Sequence, residues 1–230
     1  MPATNRSFRP ALFTYLSDLA ANNDRDWFAD NRIRYDRYVK DEGLQFIRDF
    51  EPYLHEISPH FVADDRTVGG SLFLIYRDTR FSKDKTPYKT QLGIQFRHEA
   101  AKDAHAPGFY LHIDPAGSFV GVGLWRPDGP AALAIREGIA ERANEWKRVT
   151  TNPDFTSTYT MEGESLKRPP RGFDPDHPLV DDLKRKDFIA TAKVSRKTVT
   201  APDFLEQYAA MSRTATAYMQ FLTRSLGLPF

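Results

Sequence analysis

The sequence predicts an α+β protein, with a mainly antiparallel sheet of about five or six strands covered by N-terminal and C-terminal helices. Apolar residues recur at helical spacing over 8–57, 128–149 and 202–226, whereas between 69 and 127 the apolar period changes to two. Pro115-Ala116-Gly117-Ser118 joins two alternating runs closely enough for a hairpin, and hairpin strands are antiparallel. No repeat, low-complexity tract or flexible linker interrupts the 230 residues, so one domain is expected over 1–230.

Phe8, Leu12, Tyr15, Leu16 and Leu19 mark the first helix, and Asn22, Asn23 and Asp24 stop it and cap the next. In the second helix Trp27, Asn31, Tyr35 and Tyr38 share a face, where Asn31 reads best as a hydrogen-bonded structural amide. A third helix covers residues 44–57. Residues 71–76 (SLFLIY), apolar on both faces, are expected as a buried central strand. Leu92, Ile94 and Phe96 alternate with Gly93, Gln95 and Arg97 as a half-buried one.

Residues 109–114 (FYLHID) and 119–125 (FVGVGLW) make the hairpin. Matching their apolar sets pairs Ile113 with Val120, Leu111 with Val122 and Phe109 with Leu124. The other face then sets Tyr110 opposite Gly123, His112 opposite Gly121 and Asp114 opposite Phe119. Glycines facing a tyrosine and a histidine leave a shallow place where a ligand or another backbone can approach.

After Asp128 the run PAALAIREGIAERANEWKRV is helical, with Ile135, Ile139 and Trp146 toward the core and Arg136 beside them. Residues 151–178 hold two Pro-rich pieces, including LKRPPRGFDP, expected to cross the surface extended. A short helical turn over 179–186, a strand over 188–194 and one or two closing helices over 202–226 complete the chain.

Lysine plus arginine total 32 against 31 aspartate plus glutamate, and the pI is near 7.9. A dedicated nucleic-acid domain, with a pI above about 9, is therefore not expected, and any basic site must be local. The absence of cysteine excludes disulfides and thiolate catalysis and fits a reducing compartment. With no signal-like leader and no apolar run near the ~18 residues of a span, a cytoplasmic protein without a membrane segment is expected.

Residues 76–90, YRDTRFSKDKTPYKT, concentrate five basic, two acidic and three aromatic side chains. Pro87 and the charge density make this a loop leaving the end of a core strand. Arg77, Arg80, Lys83 and Lys89 suit a phosphate or carboxylate, and Phe81 and Tyr88 suit a stacked ring. Tyr110 and His112 are candidates for orienting a ligand or moving a proton, Trp125 for a wall, and Arg136 for a further cation. Lys167, Arg168 and Arg171, with Lys184, Arg185 and Lys186, offer a second basic edge. The function expected is binding of an anionic small molecule, with catalysis left open. Two alternatives stand beside it: a module docking an acidic protein or nucleic-acid backbone, and an internal ion-pair network with Asp78 and Asp84.

Other motifs carry less. Ser82-Lys83-Asp84-Lys85 matches Ser-x-x-Lys, but Pro87 denies it a helix. Gly117, Gly121 and Gly123 precede Trp125-Arg126-Pro127 rather than a helix and so form no dinucleotide fingerprint. The six histidines (55, 60, 98, 105, 112 and 177) include no metal-ligand pair, so neither metal nor cofactor is expected.

The blocks NNxRxWFxxNR at 22–32, YRDTRFSKDKTPYKT, Gly108-x-Tyr110-Leu111-His112-Ile113, Gly121-x-Gly123-Leu124-Trp125-x-Pro127 and Ile135-Arg136 together resemble the domain of unknown function 2461 family of bacteria and fungi. The late KRPPRGFDP and LKRK segments extend the likeness over nearly the whole chain. The resemblance implies a single cytoplasmic domain and brings no catalytic residue. Similar proteins often carry an arginine where this chain has Leu74.

Overall fold

The computed structural model describes residues 8–100 and 106–230. Helices α1 (Pro10–Ala21), α2 (Arg25–Asp30) and α3 (Arg32–Tyr35), a π-helical turn (Asp36–Lys40) and α4 (Asp41–Ile57) open the chain. Pro10 starts α1, where its missing N–H has no helical partner to lose, and Asp24 caps α2 by accepting the Trp27 N–H at 2.8 Å. Strands β1 (Phe61–Val62), β2 (Leu92–His98), β3 (Gly108–Ile113) and β4 (Ser118–Leu124) follow. Then come α5 (Gly129–Glu141), α6 (Ala143–Thr150), α7 (Pro153–Thr158), β5 (Thr160–Glu162), α8 (Val180–Leu183), β6 (Phe188–Val194), α9 (Arg196–Val199), α10 (Phe204–Thr214) and α11 (Thr216–Ser225).

The six strands form one antiparallel sheet in the order β1-β2-β3-β4-β6-β5, so the α+β expectation is met. Its inner face buries Ile94, Phe96, Phe109, Leu111, Val120, Val122, Phe188 and Ala190. Helices from both ends of the chain cover that face. Phe50 of α4 lies 4.7 Å from Phe96, and Tyr208 of α10 meets Phe50 edge-on at 4.7 Å. Trp146 of α6 is fully buried against Phe221 of α11, 5.1 Å away. Among the described residues, no helix is long and apolar enough to cross a membrane.

Alternation places the remaining strand residues on the outer face. One row across all six strands reads Val62, Arg97, Gly108, Gly123, Ile189 and Glu162. The next reads Gln95, Tyr110, Gly121, Thr191 and Thr160, and the third Gly93, His112, Phe119 and Lys193. Glycine occupies both central strands of the first row and recurs in each of the others.

Three expectations need correction. Residues 71–76 are not a central strand but an irregular edge segment, joined to β2 by Phe73 N–H to Gly93 O and Gln95 N–H to Ser71 O, both 2.9 Å. Ser71, Leu72 and Ile75 are buried while Leu74 and Tyr76 are 43% and 54% exposed, so the apolar run follows no regular strand alternation and does not bury two faces. The hairpin is also paired two residues away from the expected register, with Leu111 opposite Val120, Tyr110 opposite Gly121 and His112 opposite Phe119. A shift of two keeps every face and changes every partner. The third concerns the Pro-rich stretch, which contains α7 and β5: Pro153 begins a helix, and Asn152 Oδ1 caps it by accepting the Asp154 and Phe155 N–H groups.

Gly123 and Gly121 of β4 predict opposite responses to substitution. Gly123 has φ +116°, and a Cβ there would lie 2.0 Å from Phe188 O, so Gly123→Ala should cost about 2 kcal/mol or more. Gly121 has ordinary space for a Cβ, 3.6 Å from Tyr110 Cβ, so Gly121→Ala should be neutral or gain about 0.5 kcal/mol. Urea unfolding of the pair distinguishes the two.

Candidate functional site

The glycines of the outer face form the floor of a groove of about 330 Å³. Gly108, Gly121 and Gly123 leave its base without side chains, and Phe73, Tyr110, Phe119 and Trp125 rise around it. Gln95, Thr191 and Glu162 supply its polar edge. Phe73 reaches the groove from the edge segment and lies 5.9 Å from the Tyr110 ring. Gly93 makes room for that tyrosine, since a Cβ there would come within 2.9 Å of the hydroxyl.

Tyr110, His112 and Asp114 occupy one face at intervals of two. The Tyr110 hydroxyl is 3.1 Å from His112 Nδ1, and His112 Nε2 is 4.0 Å from Asp114 Oδ2. The imidazole stacks on Phe119, 4.6 Å between centroids and 17° from parallel. Burial pushes the Tyr110 phenol up to about 12 and the His112 imidazole below its ordinary value, the latter opposed by Asp114. Both groups are therefore neutral near pH 7. A proton on Nε2, toward Asp114, lets Nδ1 accept from the phenol. Tyr110 lines the groove and His112 stands behind it as its hydrogen-bond partner.

The loop predicted as a cation site closes on itself. Arg77 N–H donates to Pro87 O at 2.9 Å and Lys89 N–H to Ile75 O at 2.7 Å, so the loop leaves and rejoins the core at one place. Asn23 holds it there: its Nδ2 donates to Tyr88 O at 2.9 Å, and Tyr88 N–H donates to its Oδ1 at 3.1 Å. The Tyr88 ring is 6% exposed and stacks on Phe28 at 4.1 Å, so it belongs to the core rather than to a ligand platform.

The Arg77 guanidinium donates to Asp84 Oδ2 at 2.5 Å and to the Thr86 hydroxyl, while Arg80 pairs with Asp78 at 2.7 Å. The Thr86 N–H and then Arg77 hold the Asp84 carboxyl down at about 2, and Arg80 does the same for Asp78. Lys85 donates to Thr79 O at 2.8 Å, Lys83 is exposed, and Phe81 at the tip is 95% exposed. Lys89 differs: half-buried, it donates to Leu74 O at 2.8 Å, lies 5.6 Å from the Phe73 ring centroid, and is shifted toward the neutral amine by burial. Arg77, Thr86 and Lys89 border a cleft of about 380 Å³ beside the loop.

The predicted residues thus fall in several places. Tyr110 and Trp125 share the groove, and Arg77, Tyr88 and Lys89 share the loop cleft. Arg80 and Lys83 face solvent. Arg136 lines neither. It donates to Leu183 O and Arg185 O at 2.8 and 2.7 Å, tying α5 to the end of α8. In the second basic edge Lys184, Arg185 and Lys186 pair with Asp181, Asp182 and Glu164. Asn31 is a satisfied amide, donating to Trp27 O at 2.9 Å and accepting from Arg34. His105 lies outside the described residues; among those described, no group of three His, Asp or Glu could hold a metal ion. Sequence reasoning saw Asn23 as a helix stop and missed its clamp on the loop, for which the only local signal was a second amide after Asn22.

Asn23→Ala removes both hydrogen bonds to Tyr88 and should cost about 1–3 kcal/mol, with faster amide exchange at Arg77, Tyr88 and Lys89 in hydrogen–deuterium measurements. For His112, the folded chain takes up a proton less readily than the unfolded one, whose value is near 6.5. Its contribution therefore lowers stability as pH falls through that range. In urea titrations between pH 7.5 and 5, His112→Gln should show the smaller loss.

The chain matches the family described as Conserved hypothetical protein (DUF2461) over residues 11–221, which include every strand, the loop and all but the outermost residues of the covering helices. No curated protein and no solved structure matches it. On that near-complete match, the chain belongs to the DUF2461 family.

Proposed function

We propose that the outer sheet face binds a small molecule that lays a flat ring over Gly121, between Tyr110 and Trp125, and carries an anionic phosphate or carboxylate. Gly121 is the observation that carries this reading. Gly123 answers to its backbone conformation, and Gly93 and Gly108 to close contacts, but Gly121 has ordinary space above it. Glycine in a strand forgoes about 0.5–1 kcal/mol relative to alanine, and here the effect is to keep open a surface bordered by aromatics. An aromatic-walled depression with few polar groups suits a ring face.

Cations beside two walls support the anionic part of the proposal: Lys89 lies against Phe73, and Arg126 against Trp125. In this reading Tyr110, hydrogen-bonded to His112, orients an oxygen of the ligand and is the candidate for proton transfer. The loop cleft is a second candidate place for the anion, favoured by Lys89, which has no carboxylate partner among the described residues.

A thermal-shift screen against aromatic phosphates, nucleotides and carboxylates tests the proposal. A ligand at about 100 times its Kd should add about 2.7 kcal/mol of stability. Gly121→Val should fold as stably as wild type while losing that gain, because its methyl groups occupy the groove. A gain unchanged in Gly121→Val would sink the groove reading. One that survives Gly121→Val and disappears in Lys89→Met would assign binding to the loop cleft.

A further inference from the structure

We infer that Arg126 recognises the anionic group of the groove's ligand, with Trp125 as its platform and the buried carboxylate of Asp187 as its anchor. This deepens the groove reading and rests on it. Arg126 has φ +47° and is the one non-glycine in the left-handed region among the described residues. A side chain there carries a conformational penalty that surrounding contacts must offset. Asp187 supplies one. It is 4% exposed, and its Oδ1 accepts the Arg126 N–H at 2.9 Å while its Oδ2 accepts the Glu164 N–H at 2.9 Å. Gly163 closes over it: with φ +104°, a Cβ there would meet Asp187 Cβ at 2.6 Å. One carboxylate thus joins the end of β4 to the end of β5 and fixes the turn carrying Trp125 and Arg126.

That turn does not hold the arginine for an internal ion pair. Its guanidinium carbon is 4.6 Å from the centroid of Trp125, a wall of the groove, and the guanidinium has no hydrogen-bond or salt-bridge partner among the described residues. The other cations nearby differ. Arg97 donates to Gly69 O at 2.7 Å, Lys89 donates to Leu74 O at 2.8 Å, and Lys193, exposed like Arg126, lies beside Phe119 in the register and has a point charge in place of a planar fork. A guanidinium on an indole presents its N–H fork with little loss of rotamer freedom, which suits a phosphate, sulfonate or carboxylate on a ring that already contacts the same wall.

The test compares two fluorescent probes that share one ring system, anilinonaphthalene sulfonate and its neutral parent phenylnaphthylamine. Wild type should bind both and prefer the sulfonate. Arg126→Gln should weaken the sulfonate about tenfold and leave the neutral probe within about twofold, as expected for losing one charge-assisted contact. Arg126→Gly relieves the positive φ, so it should fold at least as stably and show the same selective loss. A sulfonate preference unchanged in both Arg126 variants, or abolished instead by Lys89→Met or Lys193→Gln, overturns the assignment to Arg126. A wild type that binds neither probe, or a Gly121→Val protein that binds both unchanged, refutes the groove itself and the inference with it.

Discussion

Sliding β3 by two residues along β4 would leave the same apolar side chains on the buried face and take the groove apart. Tyr110 would then face Gly123 instead of Gly121, and His112 would lose the flat contact with Phe119 that holds its ring beside the phenol. The short turn between the strands prevents this. Gly117 N–H donates to Asp114 O at 3.1 Å, Asp114 Oδ1 accepts the Ala116 N–H at 2.7 Å, and the Ser118 hydroxyl accepts the Asp114 N–H at 3.1 Å. A hairpin slipped by two would forfeit that set of bonds, each worth about 0.5–1.5 kcal/mol net. Glycine floor, aromatic wall and phenol–imidazole pair all depend on this one register.

Both structural margins of the face are tied down by polar side chains that satisfy backbone groups where regular pairing ends. Asn23 supplies a donor and an acceptor to Tyr88 at the base of the charged loop, and Asp187 supplies two acceptors at the ends of β4 and β5. Backbone groups that leave a ladder need such partners, and a carboxylate or carboxamide provides them without adding another strand. The two ties differ in what they carry. Asn23 holds a loop whose two arginines are paired with its own aspartates, whereas Asp187 holds an arginine whose guanidinium has no carboxylate partner among the described residues.

The loop shows why charge density alone is a poor guide to a binding site. Arg80–Asp78 and Arg77–Asp84 join residues two and seven positions apart, and both aspartates and Arg80 stand largely in solvent, which screens such pairs and leaves them little power to anchor the loop. They shape the loop and neutralise its two arginines, leaving Lys83, Lys85 and Lys89 as its excess positive charge. Its attachment comes instead from Asn23, from the Tyr88 ring against Phe28 and from the Lys89 ammonium on the Leu74 carbonyl.

By itself the sequence determined the helices at both ends, the alternating strands, the hairpin, and the meeting of glycines with Tyr110 and His112 on one sheet face. These rest on local periodicity and turn chemistry, which neighbouring residues specify among themselves. Only the tertiary structure decided that residues 71–76 lie at an edge, that Tyr110 faces Gly121, that Arg77 turns to Asp84 and Arg136 to α8, and that Asp187 reaches Arg126. A period of two is blind to a shift of two, and an apolar run reads alike at the centre and the edge of a sheet. The partner of a long cationic side chain depends on which carboxylate, carbonyl or open space the packed chain brings within its reach.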